Sequence, residues 1–417
     1  MDYFSPKQRE FLERATHRWN IKEGATRSGK TYLDYFVIPR RIRKLKGKDG
    51  LIVILGNTKG TLQRNIITPM QNIWGTGLVS DIKSDNTAIL FGERCYCLGA
   101  DKVSQVDALR GSSIKYCYGD EVVTWHQDVF EMLKSRLDKG YSCFDGACNP
   151  DRPTHWFKTF LDNREADIYC QNYQIWDNPF IDKEVVRNME KEFAGTVYYD
   201  RYILGKWVLA EGLIYQMFSR EKNTYSGELP DGLQAECARF IACDYGTANP
   251  TTFLDILVTP AGEIRLDNAY YYDSRSQRNG GRQKTDEEYY QDLAKFVKKR
   301  VVRRIQGQEL STQILEPECV IVDPAAASFI ECIRRHGEFL VRQAENDVLD
   351  GIRKTSVLIN TQRLLVNERC TDVLKEFESY AWDTKGEIDK PIKEHDHAMD
   401  ALRYFVNTIY SRRWGIQ

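Results

Sequence analysis

The chain has 417 residues, of which 42% are hydrophobic and 29% are charged, and its formal net charge is −1. This length predicts about two or three domains with ample core. The near-neutral charge excludes a uniformly basic coat but leaves room for a local DNA-binding patch.

Other features of the composition predict an intracellular protein without a membrane segment. No apolar run approaches the ~18 residues that a membrane span needs. The N-terminal sequence MDYFSPKQREF is too polar for a secretory signal. The 11 cysteines are scattered and lack a C-x-x-C pair, which indicates reduced thiols rather than disulfides or a zinc knuckle.

The first predicted helix begins at Ser5-Pro6, where a capping serine precedes a proline suited to the first helical position. Gln8 on this helix has two interpretations. In many ATPases a Gln upstream of the phosphate-binding loop contacts adenine, and a solvated helix Gln fits the position equally well.

Residues 24–31 read GATRSGKT and match the phosphate-binding pattern G-x-x-x-x-G-K-[ST] without a mismatch. They lie between a predicted strand at 19–23 and a predicted helix that stops before Pro39. The glycines permit backbone angles that turn successive N–H groups toward an anion at a helix N-terminus. The predicted nucleotide-binding residues of this loop are Gly24, Ala25, Thr26, Arg27, Ser28, Gly29, Lys30 and Thr31.

Three side chains of the loop have predicted roles. Lys30 would reach the β- and γ-phosphates, and the Thr31 hydroxyl would hold Mg²⁺. Arg27 would touch the γ-phosphate, although its spacing fits a solvated loop arginine equally well.

The next stretch predicts further strands and helices. A basic cluster at 40–48 fits either DNA phosphates or the C-terminus of the loop helix. The apolar run at 51–56 predicts a buried parallel strand. Residues 57–58 would cap a helix through 73, and 87–98 predicts two short strands that turn near Gly92.

A second nucleotide signature follows at the end of the predicted strand 114–119, where Asp120-Glu121 stands. Asp120 would hold Mg²⁺ through water, and Glu121 would deprotonate the attacking water. Arg110 lies in a Gly-flanked loop and is either an arginine finger for a neighbouring subunit or a turn residue. After a predicted helix at 127–137, strand 141–147 ends near Asn149, whose amide would sense the γ-phosphate or simply make an Asn-Pro turn. The alternation of strands and helices predicts a mainly parallel, doubly wound sheet.

An amphipathic helix is predicted at 182–193, and composition places a linker at about 196–235. Beyond it the pattern restarts, with strands predicted at 238–246, 251–258, 264–272 and 319–324 and helices from 285 and at 395–404. Asp244 and Asp323 stand at the ends of two of these strands. Asp400 lies on the last helix, three residues after His397 and on the same face.

Carboxylates that converge from separate elements hold two Mg²⁺ or Mn²⁺ ions about 4 Å apart in two-metal nucleases. An RNase H-like fold supplies acids in the order of Asp244, Asp323 and Asp400, whereas each acid alone fits a solvated strand end or a helix terminus. His395 and Asp396 are lesser candidates that fit helix capping as well.

These motifs together resemble the large terminase subunits of tailed double-stranded DNA phages over nearly the whole chain, and most of all those of siphophages of Gram-positive hosts. The motifs that carry the resemblance are the loop at 24–31 with Arg27, Asp120-Glu121, ACNP at 147–150, YILGKW at 202–207, EGLIY at 211–215, DYG at 244–246, VDP at 322–324 and HAMDA at 397–401. Many relatives have Asp where His397 stands, and a neutral imidazole would shift the metal preference from Mg²⁺ toward Mn²⁺.

The resemblance implies an α/β fold with a P-loop ATPase domain of the ASCE type at 1–195, the linker at 196–235 and an RNase H-like nuclease domain at 236–417. It implies ATP and Mg²⁺ for the first domain and two Mg²⁺ or Mn²⁺ for the second. The implied catalytic residues are Glu121, Arg27, Arg110, Asp244, Asp323 and Asp400; the implied metal-binding residues are Thr31, Asp120, Asp244, Asp323, His397 and Asp400; Gln8 and Asn149 complete the implied nucleotide site.

The resemblance also implies a setting for the protein. A ring of about five subunits would act in the host cytoplasm, docked transiently on the portal protein of a procapsid and absent from the mature virion. It would drive double-stranded DNA inward and cut concatemers, with a small terminase subunit selecting the DNA.

Two other functions remain compatible with the motifs. The chain would be a P-loop helicase or transposition-type ATPase if its C-terminal domain were a resolvase-like or inactive RNase H fold. It would be a nucleotide-gated assembly module if the C-terminal acids were structural. DNA unwinding would distinguish the first, and ATP binding without DNA cleavage the second.

Overall fold

The structure is a computed structural model that describes residues 3–109, 111–246, 249–275, 282–298, 301–306, 309–384 and 388–415. The chain divides into two compact units, the first comprising Met1–Met189 and Val197–Leu209 and the second Glu190–Thr196 and Ala210–Gln417. The predicted linker at 196–235 is therefore shared between the units. No helix among the described residues combines the length and apolar character needed to cross a bilayer.

The strands up to residue 209 form one sheet. They are β1 (Trp19–Gly24), β2 (Leu51–Gly56), β3 (Thr87–Leu90), β4 (Glu93–Gly99), β5 (Ile114–Gly119), β6 (Cys143–Cys148) and β7 (Ile168–Tyr173). Their order is β3-β4-β2-β5-β6-β1-β7, and all neighbours are parallel except β3 with β4. This confirms the predicted mainly parallel sheet.

The helices of this part of the chain are α1 (Pro6–Arg14), α2 (Lys30–Lys44), α3 (Lys59–Leu62), α4 (Thr68–Trp74), α5 (Gln127–Arg136), α6 (Trp156–Leu161), α7 (Lys183–Phe193) and α8 (Val197–Tyr202). A π-helical turn at Gln63–Ile67 joins α3 to α4. Separate apolar clusters built around Phe144 and around Ile54 fill the core of the first unit. The helix predicted from Thr58 to residue 73 is confirmed, with Thr58 as its N-cap.

The predicted end of α2 before Pro39 is wrong, because the helix continues through Pro39 to Lys44. Proline removes the N–H that would bond the carbonyl of Tyr35 four residues earlier. The indole Nε1 of Trp74 donates to this carbonyl at 2.9 Å instead. A tertiary contact thus replaces the missing helical hydrogen bond.

The second unit contains a sheet in the order β15-β14-β9-β10-β11-β16-β8. Its strands, with the separate pair β12 and β13, are β8 (Thr224–Tyr225), β9 (Ala238–Asp244), β10 (Thr251–Val258), β11 (Ile264–Tyr272), β12 (Val301–Gln306), β13 (Glu309–Ile314), β14 (Cys319–Val322), β15 (Val341–Gln343) and β16 (Leu364–Asn367). β9, β10 and β11 are antiparallel neighbours, and β14 lies parallel to β9 on its other side.

The helices from residue 210 onward are α9 (Arg220–Asn223), α10 (Asp231–Glu236), α11 (Asp286–Lys298), α12 (Ala327–His336), α13 (Val348–Asn360), α14 (Thr371–Ser379) and α15 (His397–Phe405). α15 begins two residues later than predicted and continues as a π-helical segment at Val406–Gly415. Helices α11 and α12 pack on the core through Tyr289, Leu293, Phe329 and Ile333. The predicted α/β class of this unit is confirmed.

Candidate functional sites

The loop between β1 and α2 has the backbone shape of an anion cradle. Gly24, Arg27 and Gly29 have φ values of 135°, 59° and 86°. A Cβ atom at Gly24 would overlap the carbonyl of Tyr173. Only glycine therefore fits at the start of this loop.

Two N–H groups of the loop are already used within the protein. Ala25 donates to the carbonyl of Tyr173 at 2.7 Å, and Thr26 donates to that of Tyr202 at 2.9 Å. These bonds attach the first half of the loop to β7 and α8. The N–H groups that can meet a phosphate are consequently those from Arg27 onward, next to the N-terminus of α2.

Lys30 is buried beneath the loop. Its Nζ donates to the carbonyls of Gly24 (2.9 Å) and Ala25 (2.5 Å) and to Oδ1 of Asn149 (3.1 Å). Burial lowers the pKa of Lys30 to about 8. These three acceptors are neutral oxygens, so a phosphate anion here would supply the opposite charge that a buried ammonium needs.

Gln8 is only 2% exposed, so the interpretation as a solvated residue is wrong. Its Oε1 accepts from the N–H of Ser5 at 2.8 Å, and its Nε2 donates to the carbonyl of Gly29 at 2.9 Å. Gln8 therefore joins the capped start of α1 to the loop. Its predicted contact with adenine stays a prediction.

Strand order brings the second nucleotide signature to the loop. β6 lies between β1 and β5, so Asn149 after β6 and Asp120 after β5 emerge at the same sheet edge as the loop. Burial, together with the smaller effect of the negative charge on neighbouring Glu121, raises the pKa of Asp120 to about 7. Glu121 is exposed and has a φ of 49°, a conformation unusual for a residue other than glycine.

A cavity of about 400 Å³ collects these groups. The predicted nucleotide-site residues that line it are Thr26, Arg27, Ser28, Gly29, Lys30, Thr31, Asp120, Glu121 and Asn149. Asn178 lines it as well. Asn178 was not predicted; its Nδ2 donates to the carbonyl of Arg27 at 2.8 Å. Arg110 lies outside the described residues, so its predicted role as a finger stays a prediction.

Sequence reasoning also missed a buried ion pair beneath the loop. Nζ of Lys22 on β1 lies 2.7 Å from Oδ1 of Asp34 on α2, and both side chains are fully buried. Tyr118 on β5 donates to Oδ2 of Asp34 at 3.2 Å. The signal that could have revealed it was a lysine in the strand that leads into the phosphate-binding loop, where burial is expected, since buried charges are paired.

In the second unit, two predicted acids follow neighbouring parallel strands. β14 pairs with β9 in a register that places Val322 opposite Cys243. Asp323 and Asp244 each come one residue later, at the same end of the sheet. Tyr404 on α15 connects them, because its hydroxyl lies 2.7 Å from Oδ2 of Asp323 and 3.4 Å from Oδ1 of Asp244.

Helix α15 brings the other predicted ligands to this end of the sheet. His397 Nδ1 lies 2.8 Å from Oδ2 of Asp244. Burial raises the pKa of Asp244. Burial lowers the pKa of His397, but the hydrogen bond and charge of Asp244 outweigh it, so the net shift is upward.

Asp400 is held between two cations. Oδ1 accepts from Nη2 of Arg403 at 2.9 Å, and Oδ2 accepts from Nζ of Lys393 at 3.0 Å. Lys393 also lies 3.2 Å from Oδ2 of Asp396. Asp396 occupies the N-cap position of α15 without capping it through its side chain, and His395 precedes it.

Glu376 on α14 is a further site residue that sequence reasoning missed. Its Oε2 accepts from the backbone N–H groups of Ala398 (2.7 Å) and Met399 (3.2 Å), and Oε1 accepts from the Tyr271 hydroxyl at 3.0 Å. Burial raises the pKa of Glu376 to about 7. This carboxyl fixes the start of α15, on which both His397 and Asp400 depend.

A cavity of about 1140 Å³ is lined by Asp244, Asp323, His397 and Asp400, and also by Glu376, Lys393 and Tyr404. Three carboxylates and one imidazole that face one cavity are a donor set suited to Mg²⁺ or Mn²⁺. Lys393 and Arg403 balance the negative charge of Asp400. The residues present therefore fit a divalent metal centre.

Comparison with known proteins finds two family models that match successive parts of the chain. The family model described as "Terminase large subunit, T4likevirus-type, N-terminal" matches residues 21–222, and "Terminase RNaseH-like domain" matches residues 244–408. A curated relative, the terminase large subunit of Escherichia phage T5, is 22% identical over 322 residues, which are 73% of this chain and 68% of that protein.

Solved structures of a large terminase cover almost the whole chain. This large terminase, from a thermophilic bacteriophage, is 34% identical, covers 98% of this chain and 99% of its own, and superposes with a TM-score of 0.82. The same protein has been solved with ADP (34% identical, TM-score 0.78) and with ATP-gamma-S (33% identical, TM-score 0.77), each covering 97% of this chain and 99% of its own. On these matches, the chain belongs to the terminase large-subunit family.

Proposed function

We propose that this protein is the subunit of a viral DNA-packaging motor that hydrolyses ATP to move double-stranded DNA into a procapsid and cuts concatemeric DNA. The observation that carries the proposal is that one chain holds two separate sites. One is a phosphate cradle with Lys30, Asp120 and Glu121, and the other is a cavity lined by Asp244, Asp323, His397 and Asp400. Nucleotides bound to the large terminase of the thermophilic phage support ATP as the ligand of the first.

In the ATPase site, Lys30 would hold the β- and γ-phosphates in the cradle. Thr31 and Asp120 would hold Mg²⁺, which neutralises phosphate charge. Glu121 would accept the proton of the attacking water, and Asn149, already bonded to Lys30, would contact the γ-phosphate. Arg27 of the same chain, and Arg110 of a neighbouring one, would stabilise the developing charge.

In the nuclease site, Asp244, Asp323, Asp400 and His397 would hold two Mg²⁺ or Mn²⁺ ions, which activate water and stabilise the leaving oxygen. Tyr404 keeps Asp244 and Asp323 together through its two short contacts. Glu376 fixes α15. Lys393 would exchange its contact with Asp400 for one with the DNA phosphate backbone.

Other partners follow from the family rather than from the geometry. We propose that the subunits form a ring of about five on the portal protein in the host cytoplasm, and that a small terminase subunit selects the DNA. The predicted basic cluster at 40–48 has fewer exposed cations than its sequence indicates, because Arg41 is buried in an ion pair with Asp145 at 2.8 Å. Arg40, Arg43 and Lys44 are exposed and remain available.

The test measures ATP turnover and plasmid nicking with Mn²⁺ on the same full-length preparations. Lys30→Ala should abolish ATP turnover and leave nicking unchanged. Asp244→Asn should leave ATP turnover unchanged and reduce nicking at least about 100-fold, which is more than the loss of a contact outside the metal ligands usually costs. The controls are Lys134→Ala, an exposed lysine of α5 that pairs with Glu131, and Asp372→Asn, an acid that lines the nuclease cavity but pairs with Lys375 on its own helix.

Three results would overturn parts of the proposal. If wild-type protein does not nick DNA and Asp244→Asn changes nothing, the second site is not a nuclease. If instead the protein unwinds duplexes while it hydrolyses ATP, the helicase alternative is favoured. Loss of both activities in Lys30→Ala would contradict two independent sites.

A further inference from the structure

Three potential metal ligands lie together on α11 and α12, outside the nuclease cavity. Cys332 and His336 are four residues apart and therefore share one face of α12. Glu287 faces them from the first turn of α11. His336 Nε2 lies 2.8 Å and Cys332 Sγ 3.8 Å from Oε2 of Glu287, and the three ligand atoms are all within 4.8 Å of one another.

These separations are close to those of a tetrahedral zinc site. With Zn–N and Zn–O bonds of about 2.0 Å and a Zn–S bond of about 2.3 Å, ligand atoms stand roughly 3.3–3.6 Å apart. The Cys332–Glu287 separation already has this scale. The His336–Glu287 separation needs to widen by about half an ångström, which two partly exposed side chains can accommodate.

The surroundings hold two of the three side chains, His336 and Glu287, in place. The His336 ring stacks on Tyr290 with centroids 3.7 Å apart and planes 7° from parallel. Gln291, on the next turn of α11, donates to the other carboxylate oxygen of Glu287, Oε1, at 2.9 Å. Such outer contacts orient metal ligands and leave one oxygen, Oε2, directed at the imidazole and thiol.

The alternative is a simple ion pair between His336 and Glu287. That pair alone accounts for the 2.8 Å contact, but it does not require a thiol one helical turn before the histidine. A thiolate with an imidazole and a single carboxylate prefers Zn²⁺ over Mg²⁺ or Mn²⁺. The donor chemistry therefore differs from that of the carboxylate-rich nuclease cavity.

We propose that Glu287, Cys332 and His336 form a Zn²⁺ site that joins α11 to α12, with a fourth position open to water. The two helices also hold Tyr245, the residue after Asp244. Its ring stacks on Phe329 of α12 at 4.6 Å, and its hydroxyl is hydrogen-bonded to Asp286 of α11. A metal here would hold the two helices together around the residue that follows the first nuclease acid.

Cobalt substitution in the full-length protein tests the site, because a Co²⁺–thiolate bond gives a near-ultraviolet charge-transfer band that oxygen and nitrogen ligands do not. After chelation and exchange into metal-free buffer, wild-type protein should develop this band with about one equivalent of Co²⁺, and Zn²⁺ should remove it. Cys332→Ser should abolish the band, and His336→Ala should weaken Co²⁺ binding more than about 10- to 100-fold, the usual cost of an outer-shell change.

Three control variants should keep the band. Glu331→Gln changes an exposed acid of α12 that pairs with Arg335, Cys143→Ser removes a half-buried thiol of the first unit, and Asp244→Asn changes the nuclease cavity. Unfolding in chelator should show equal midpoints for wild type and Cys332→Ser, and added Zn²⁺ should raise only the wild-type midpoint. Absence of the band in wild type, or its persistence in Cys332→Ser, would overturn the site.

Discussion

His397 Nδ1 lies 2.8 Å from Oδ2 of Asp244, so an imidazole and a carboxylate hold each other at the end of β9. This contact ties α15 to β9, an inner strand of the seven-stranded sheet. It also places a borderline nitrogen donor among the carboxylates of the cavity. Under the proposed function, the metal preference of the cavity depends on this position.

His397→Asp should raise Mg²⁺-supported plasmid nicking relative to Mn²⁺-supported nicking by about tenfold, a typical scale for a changed ligand environment. The reason is that a carboxylate is a harder ligand than an imidazole. Ser379→Asp, which adds a carboxylate at another residue lining the same cavity, is the control and should leave the ratio unchanged. An equal ratio in His397→Asp and wild type would remove His397 from the metal centre.

Glu121→Gln should retain ATP binding and lose turnover by at least about 100-fold, because an amide cannot accept the proton of the attacking water. Binding is measured with a fluorescent nucleotide and turnover by phosphate release. The control is Glu131→Gln, which should behave as wild type. Glu131 lies on the exposed face of α5 and pairs with Lys134. Normal turnover in Glu121→Gln would mean that another group is the base.

Gly205→Ala should lower the free energy of unfolding of the first unit by about 2–4 kcal/mol. Gly205 has a φ of 66°, and a Cβ there would lie 2.9 Å from the backbone nitrogen of Ala25 in the phosphate loop. Gly92→Ala is the matched control, since Gly92 has a φ of 82° but nothing within 4 Å of an added Cβ, and it should cost about 1 kcal/mol. Equal losses in thermal or denaturant unfolding would show that the contact with the loop carries no weight.

Glu376→Gln should become progressively more stable relative to wild type as the pH rises from about 4.5 to 8. Burial raises the folded-state pKa of Glu376 from 4.5 to about 7. In this window the folded state binds the proton and the unfolded state does not, so wild-type stability falls with rising pH. The difference between the two proteins should grow by up to about 3 kcal/mol.

Denaturant unfolding in chelator at several pH values measures the difference in free energy of unfolding between Glu376→Gln and wild type. Because the other titrating groups are the same in both proteins, their contributions to the pH dependence cancel in this difference. A difference independent of pH would show that Glu376 is ionised throughout. A variant that loses stability at every pH would show that the amide cannot replace the acceptor of the Ala398 and Met399 N–H groups.

Much of the fold followed from local pattern. The loop at 24–31 and the run at 114–121 carry strand, turn and acid within a few residues, so each was readable without tertiary information. The path of α2 through Pro39 could not be predicted in this way. It depends on Trp74, which lies 35 residues after Pro39 and donates to the carbonyl of Tyr35. The burial of Gln8 likewise depends on Gly29.

The second site shows the same limit. Asp244, Asp323 and Asp400 were predicted because each stands at the end of, or within, an apolar element, and the structure brings them to one cavity. Glu376 and Tyr404 were missed, since a lone Glu on α14 or Tyr on α15 has no sequence signature. Their importance comes only from which atoms they reach: the N–H groups of α15 and the two strand-end acids.

The central claim is that Asp244, Asp323, His397 and Asp400 form one metal centre. Anomalous diffraction from crystals of the protein soaked in Mn²⁺ tests it most directly. The account predicts two peaks about 4 Å apart, bound by Asp244, Asp323, His397 and Asp400, with Lys393 displaced from Asp400. Peaks elsewhere in the molecule, with Asp400 still bonded to Lys393 and Asp244 to His397, would contradict it.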